Sequence, residues 1–150
     1  MTDISFENNT IAIVGGAGFV GSNLCKLILK EHLPKKVIVI DNLLSSEESN
    51  IPSDERVEFL KGSIANDDIL SKMDKAVDFI FHLSTFHRNQ SSIEDPIRDH
   101  ENNTITTLKL MDFMKNSTNL KKLVYSAAGC SAAKKHMMPQ KPPLKKHLFL

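Results

Sequence analysis

The chain has 150 residues with 41% apolar and 25% charged side chains, six Gly and six Pro, which excludes collagen-like, low-complexity and disulfide-framed architectures and leaves room for one ordinary domain. Its net charge of +1 is a cancellation, because residues 1–112 carry 11 Lys/Arg against 18 Asp/Glu and residues 113–150 carry eight Lys and no acid. Cys25 and Cys130 fit no metal or redox spacing, no apolar run nears the roughly 18 residues of a membrane span, and the acidic start lacks a signal peptide's basic and apolar regions, so a cytoplasmic location is expected.

Thr10-Ile11-Ala12-Ile13-Val14 reads as a strand buried on both faces and ends at glycines. Gly18 to Glu31 is expected to form a helix with Val20, Leu24, Leu27 and Ile28 on its buried face, stopped by Pro34. Val37–Ile40 and Val57–Leu60 read as the second and third strands, with a polar loop between them. A short helix over Asn66–Ser71 leads to a fourth strand, Asp78–His82. Pro96 to Lys115 is expected to form a helix whose apolar stripe is Ile97, Thr104, Leu108, Met111 and Met114, and Leu123–Ser126 reads as the fifth strand. Repeated strand–helix–strand units predict an α/β fold, a doubly wound parallel sheet, with ligands at the carboxyl ends of its strands.

The first strand runs into Gly15-Gly16-Ala17-Gly18-Phe19-Val20-Gly21 as the helix begins. Gly15 permits the tight turn, Gly18 lets backbone N–H groups approach a pyrophosphate, and Gly21 allows close helix–strand packing. A nucleoside-triphosphate loop is excluded, since Ser22-Asn23 follows the last Gly where Lys and Ser/Thr are needed. Asp41 ends the second strand 20 residues after Gly21, where a carboxylate accepts from ribose hydroxyls and repels a 2′-phosphate, so NAD is expected over NADP. A strand-end turn residue is the alternative reading of Asp41.

These motifs together resemble the extended short-chain dehydrogenase/reductases, specifically the NAD-dependent nucleotide-sugar epimerases and dehydratases. Val14–Gly21 is similar to their Thr-Gly-Gly-Ala-Gly-Phe-Ile-Gly turn, Phe79–Thr85 to their His-Leu-Ala-Ala strand, and Ser91–Pro96 with Asn103–Leu108 to their Ser-x-x-Asp-Pro and Asn-Val-x-Gly-Thr segments. The resemblance implies a Rossmann-like fold, incomplete here. It implies cofactor contacts from Gly15, Gly18, Phe19 and Val20 at the pyrophosphate, Asp41 and Asn42 at the ribose, and Leu83, Ser84, Thr85 and Asn103 along the cofactor. At Ser63-Ile64 the family has an Asp that holds the adenine amino group; both positions carry over with Ser63 lacking the charge. Ser84 and Thr85 replace two Ala, and their hydroxyls either bond cofactor or backbone or cap the strand end.

The implied reaction is hydride transfer from a sugar hydroxyl through a keto intermediate, with a Tyr phenolate as base and a Lys four residues on. The single Tyr, Tyr125, is followed at that spacing by Gly129, so the dyad is absent. In a shifted reading Ser131 is the candidate for the catalytic hydroxyl. The domain is expected over 1–131. The basic, Pro-containing stretch 132–150 is expected to be disordered, and an interrupted reading frame, a solvated tail and a basic arm for nucleic acid or anionic lipid stay open for it. Expected partners are NAD and, in full-length relatives, a nucleotide sugar and a second copy as homodimer, with no specific nucleic acid and no membrane. His82 reads as a packed strand-end residue, Cys25 as a small hydrophobe, Arg98 as a surface residue with a substrate phosphate as alternative, and no His, Cys or carboxylate cluster has metal spacing. The alternative to the enzyme reading is a non-catalytic nucleotide-binding or interaction protein.

Overall fold

The structure, a computed structural model, describes residues 5–73, 75–85 and 93–126. Five strands, β1 Thr10–Val14, β2 Lys36–Asp41, β3 Val57–Lys61, β4 Phe79–His82 and β5 Lys122–Tyr125, form one sheet in the order β3-β2-β1-β4-β5 with every pair parallel. The doubly wound parallel sheet expected from the strand–helix alternation is therefore present. The order reverses at β1, which is flanked by β2 and β4.

Alternation along the strands explains the two layers. Ile11 and Ile13 of β1 and Val37 and Val39 of β2 point to one face, where Cys25 and Ile28 cover them. Ala12, Val14, Ile38 and Ile40 point to the other, against Ile69, Met73 and Leu110. All five residues of β1 are buried, as a central parallel strand covered on both faces requires. The covering helices are α1 Phe19–Glu31 on the first face, and α2 Asp67–Lys72 and α4 Thr106–Lys115 on the second.

The buried faces of two helices differ from expectation. In α1, Val20 and Leu27 are 63% and 55% exposed, and the buried residues are Gly21, Ser22, Cys25 and Ile28. Gly21 sets this phase: a Cβ there would lie 2.3 Å from the Gly15 carbonyl oxygen, so Gly21 must face the turn, and Cys25 and Ile28 follow it at i+4 and i+7. The second helical stretch is not continuous. A short α3, Pro96–His100, passes through a π-helical segment, Glu101–Ile105, into α4. The wider π turn takes an extra residue and advances the downstream phase by roughly 100°. Leu108, downstream of it, is consequently exposed, as is Ile97 ahead of it, and Thr106 and Leu110 face the core with Phe113 and Met114 packed beside them.

At the amino ends of the strands, Asp78 accepts from the Thr10 backbone N–H at 2.9 Å and pairs with Lys121 at 3.0 Å. β4 begins at Phe79, one residue later than expected, although the Asp78 N–H still donates to the Thr10 carbonyl at 2.8 Å. The expected disordered segment 132–150 lies outside the described residues, as does Ser131.

Candidate functional site

Strand register brings the site together. Val14 pairs with Ile40 on one side and His82 on the other, so Gly15, Asp41 and Leu83 emerge side by side at the same edge. The ladder runs one step further: Gly15 N–H donates to the Ile40 carbonyl and Leu83 N–H to the Val14 carbonyl, both at 2.8 Å, and Gly62 N–H to the Asp41 carbonyl at 2.9 Å.

Gly15 has φ +81°, and a Cβ there would lie 2.7 Å from the Ser84 nitrogen. The residue thus serves both the left-handed turn and the close approach of the loop after β4. At Gly18 a Cβ would meet only the Gly15 carbonyl oxygen, at 3.3 Å, so its other side is open. Gly18 caps α1 without any side-chain hydrogen bond, and no acid lies in the first turn. The helix therefore begins with unsatisfied N–H donors and a positive dipole end, a cradle of the kind a pyrophosphate fills.

Asp41 organises the flank on the β2 side. Its Oδ2 accepts from Ala17 N–H at 3.0 Å, and its Oδ1 accepts from Leu43 N–H and the Ser46 hydroxyl, both at 2.9 Å. Leu43 has φ +57°, a costly conformation for a large side chain, and its bond to Asp41 holds it there. Asn50 Nδ2 adds a bond to the Ala17 carbonyl at 3.0 Å. A carboxylate has about four acceptor positions; three are used, and one on Oδ2 is left for a ribose hydroxyl. The turn role and the ribose role weighed for Asp41 in the sequence are thus compatible. Ser63 Oγ accepts from Ala65 N–H at 3.2 Å.

The end of β4 is organised by a neutral group. His82 is 2% exposed, and burial pushes its pKa down to about 4, so it is neutral at pH 7. Its Nε2 lies 3.1 Å from Thr107 Oγ1 and its Nδ1 3.2 Å from Ser84 Oγ. The Tyr125 ring packs edge-on against it at 5.2 Å, which gives the single Tyr a packing role.

Between the flanks is a cleft of about 560 Å³, a size suited to a small organic ligand. Eleven of the twelve cofactor-contact candidates line it: Gly15, Gly18, Phe19, Val20, Asp41, Asn42, Ser63, Ile64, Leu83, Ser84 and Thr85. Asn103 does not; its Nδ2 donates to Asp99 at 3.0 Å and its carbonyl accepts from Thr107 at 2.9 Å, while neighbouring Asn102 reaches the cleft. The π segment makes that exchange, and no sequence periodicity announces it. Arg98 and Thr106 also line the cleft; Arg98 is exposed, as a surface residue is expected to be, and stands at the cleft rim. Among the described residues no three His, Cys, Asp or Glu are grouped to hold a metal, and no helix is long and apolar enough to cross a membrane.

Comparison with known proteins agrees with this geometry. Residues 11–148 match the sequence model of the family described as NAD dependent epimerase/dehydratase. A UDP-glucose 4-epimerase from Lacticaseibacillus casei is 32% identical over 88% of this chain and 39% of its own length. The Bordetella bronchiseptica enzyme WbmF, solved with NAD+ and with NAD+ and UDP, is 52% identical, with a TM-score of 0.77 over 83% of this chain and 37% of its own. The epimerase Mth375 from Methanothermobacter thermautotrophicus is 34% identical, with a TM-score of 0.78 over 95% of this chain and 41% of its own. The chain thus spans about two-fifths of the length of these relatives.

Proposed function

The chain belongs to the NAD dependent epimerase/dehydratase family, and from that premise we propose that it is the NAD-binding part of a nucleotide-sugar epimerase or dehydratase. The observation that carries this reading is the cleft itself: an uncapped helix start, the open side of Gly18 and an Asp41 lone pair meet within one space of dinucleotide character. Backbone N–H groups at the start of α1 hold the pyrophosphate, Asp41 the adenosine ribose and Ser63 the adenine edge; Leu83, Ser84 and Thr85 flank the nicotinamide half. NAD held here would supply a hydride acceptor for the carbon that bears a sugar hydroxyl. The negative Asp41 disfavours a 2′-phosphate.

A second reading, nucleotide binding without catalysis, is favoured by the one Tyr of the sequence, which packs on His82 and lacks a Lys four residues on. A phenol near pKa 10 needs a neighbouring cation to act as base at neutral pH. Calorimetric titration of the 150-residue chain with NAD and NADP, followed by an assay with UDP-glucose, tests both. Binding of NAD at least about tenfold tighter than NADP, without turnover, is the expected result. Absence of NAD binding would overturn the first reading, and turnover would overturn the second.

A further inference from the structure

The half-buried hydrogen-bond chain behind the cleft fixes the direction of a proton that faces it. Thr107 Oγ1 lies 2.9 Å from the Asn103 carbonyl oxygen, which only accepts, so the single Thr107 hydroxyl proton goes there. Thr107 Oγ1 must then accept from His82 across their 3.1 Å contact, which places the imidazole proton on Nε2. A neutral imidazole carries one N–H, so Nδ1 is an acceptor, and the Ser84 hydroxyl donates to it at 3.2 Å. The reverse chain would set the Thr107 and Asn103 oxygens 2.9 Å apart with no proton between them. Ser84 lines the cleft. With its proton committed inward, it shows the cleft only lone pairs.

An acceptor-only hydroxyl repels phosphate oxygens and attracts hydroxyl or amide protons. Ser84 follows β4, on the far side of the strand-order reversal from Asp41, where a dinucleotide places its second nucleoside. We propose that Ser84 is a specificity-determining residue that accepts a hydrogen bond from the nicotinamide riboside half of NAD, with His82 and Thr107 as the positioning residues that turn its proton away. This rests on the NAD reading above and adds to it the sense of one hydrogen bond.

The test is titration of the full chain and its variants with NAD, ADP-ribose and ADP. Ser84→Ala is expected to weaken NAD about three- to tenfold, the worth of one neutral hydrogen bond, and to leave ADP unchanged. A parallel loss for ADP-ribose assigns the donor to the ribose hydroxyls; a loss for NAD alone assigns it to the carboxamide. Thr107→Val is expected to lower the NAD-to-ADP preference in the same direction and Thr107→Ser to restore it, which a merely structural role would not do. Nitrogen NMR of His82 should show Nδ1 unprotonated and Nε2 protonated. Equal losses for NAD and ADP in Ser84→Ala, or a proton on Nδ1, would overturn the proposal while leaving the NAD reading intact. Failure of the unsubstituted chain to bind either nucleotide would overturn both.

Discussion

The two flanks of the glycine turn are built on opposite principles. On the β2 side one carboxylate gathers three donors, Ala17 N–H, Leu43 N–H and the Ser46 hydroxyl, in a partly exposed loop. On the β4 side a neutral imidazole buried to 2% exposure is satisfied by two hydroxyls. A charged organiser tolerates water and holds a loop that must also meet a polar sugar. A neutral organiser is needed where the neighbours are apolar, because an unpaired charge there costs several kcal/mol.

The most severe break of this contrast strikes both flanks at once. Gly21→Ala drives a Cβ to 2.3 Å from the Gly15 carbonyl oxygen and 2.6 Å from the Gly16 Cα; a loss of about 4 kcal/mol or more is expected, read as loss of the cooperative thermal transition. Next is acid. The unfolded His82 takes up a proton near its ordinary 6.5, whereas the folded one does so only near about 4. Stability from the neutral flank is therefore complete above pH 6.5 and falls as pH drops to about 4, by on the order of 3 kcal/mol. Melting temperatures across that window should show the slope, and His82→Phe should flatten it. Asp41→Ala breaks the charged flank alone. About 2 kcal/mol of stability and at least about tenfold in NAD affinity should be lost. The smallest effect sharpens the charged side: Ser63→Asp, the acid that the family resemblance implies at this position, should raise NAD affinity about threefold through one added hydrogen bond with melting unchanged.

Legibility in the sequence follows the same division. The strands, the glycine turn and Asp41 are local: β-branched runs, a forced left-handed turn and a fixed spacing depend on little beyond their own residues. The helix faces are not. Val20 and Leu27 fit a period of 3.6 but yield to Gly21, whose contact with the turn sets the phase of α1. Ile97 and Leu108 fit a single helix, and the π segment between them turns Leu108 outward and exchanges Asn103 for Asn102 in the cleft. His82 was legible as a packed residue, but the proton direction it imposes on Ser84 depends on Thr107, 25 residues on.

The position of β1 between β2 and β4 also has a consequence for biosynthesis. The bond tying the glycine turn to Asp41 spans 24 residues, whereas the one tying β1 to the start of β4 spans 68. Chains leave the ribosome at about 5–20 residues per second, so the β2 flank can assemble roughly 2–10 seconds before the β4 flank exists. During that interval the edge of β1 that will receive β4 has no partner from its own chain. An unpaired edge of this kind, with Ile11 and Ile13 beside it, is the surface on which strand addition by other chains takes place, and the arrival of β4 removes it.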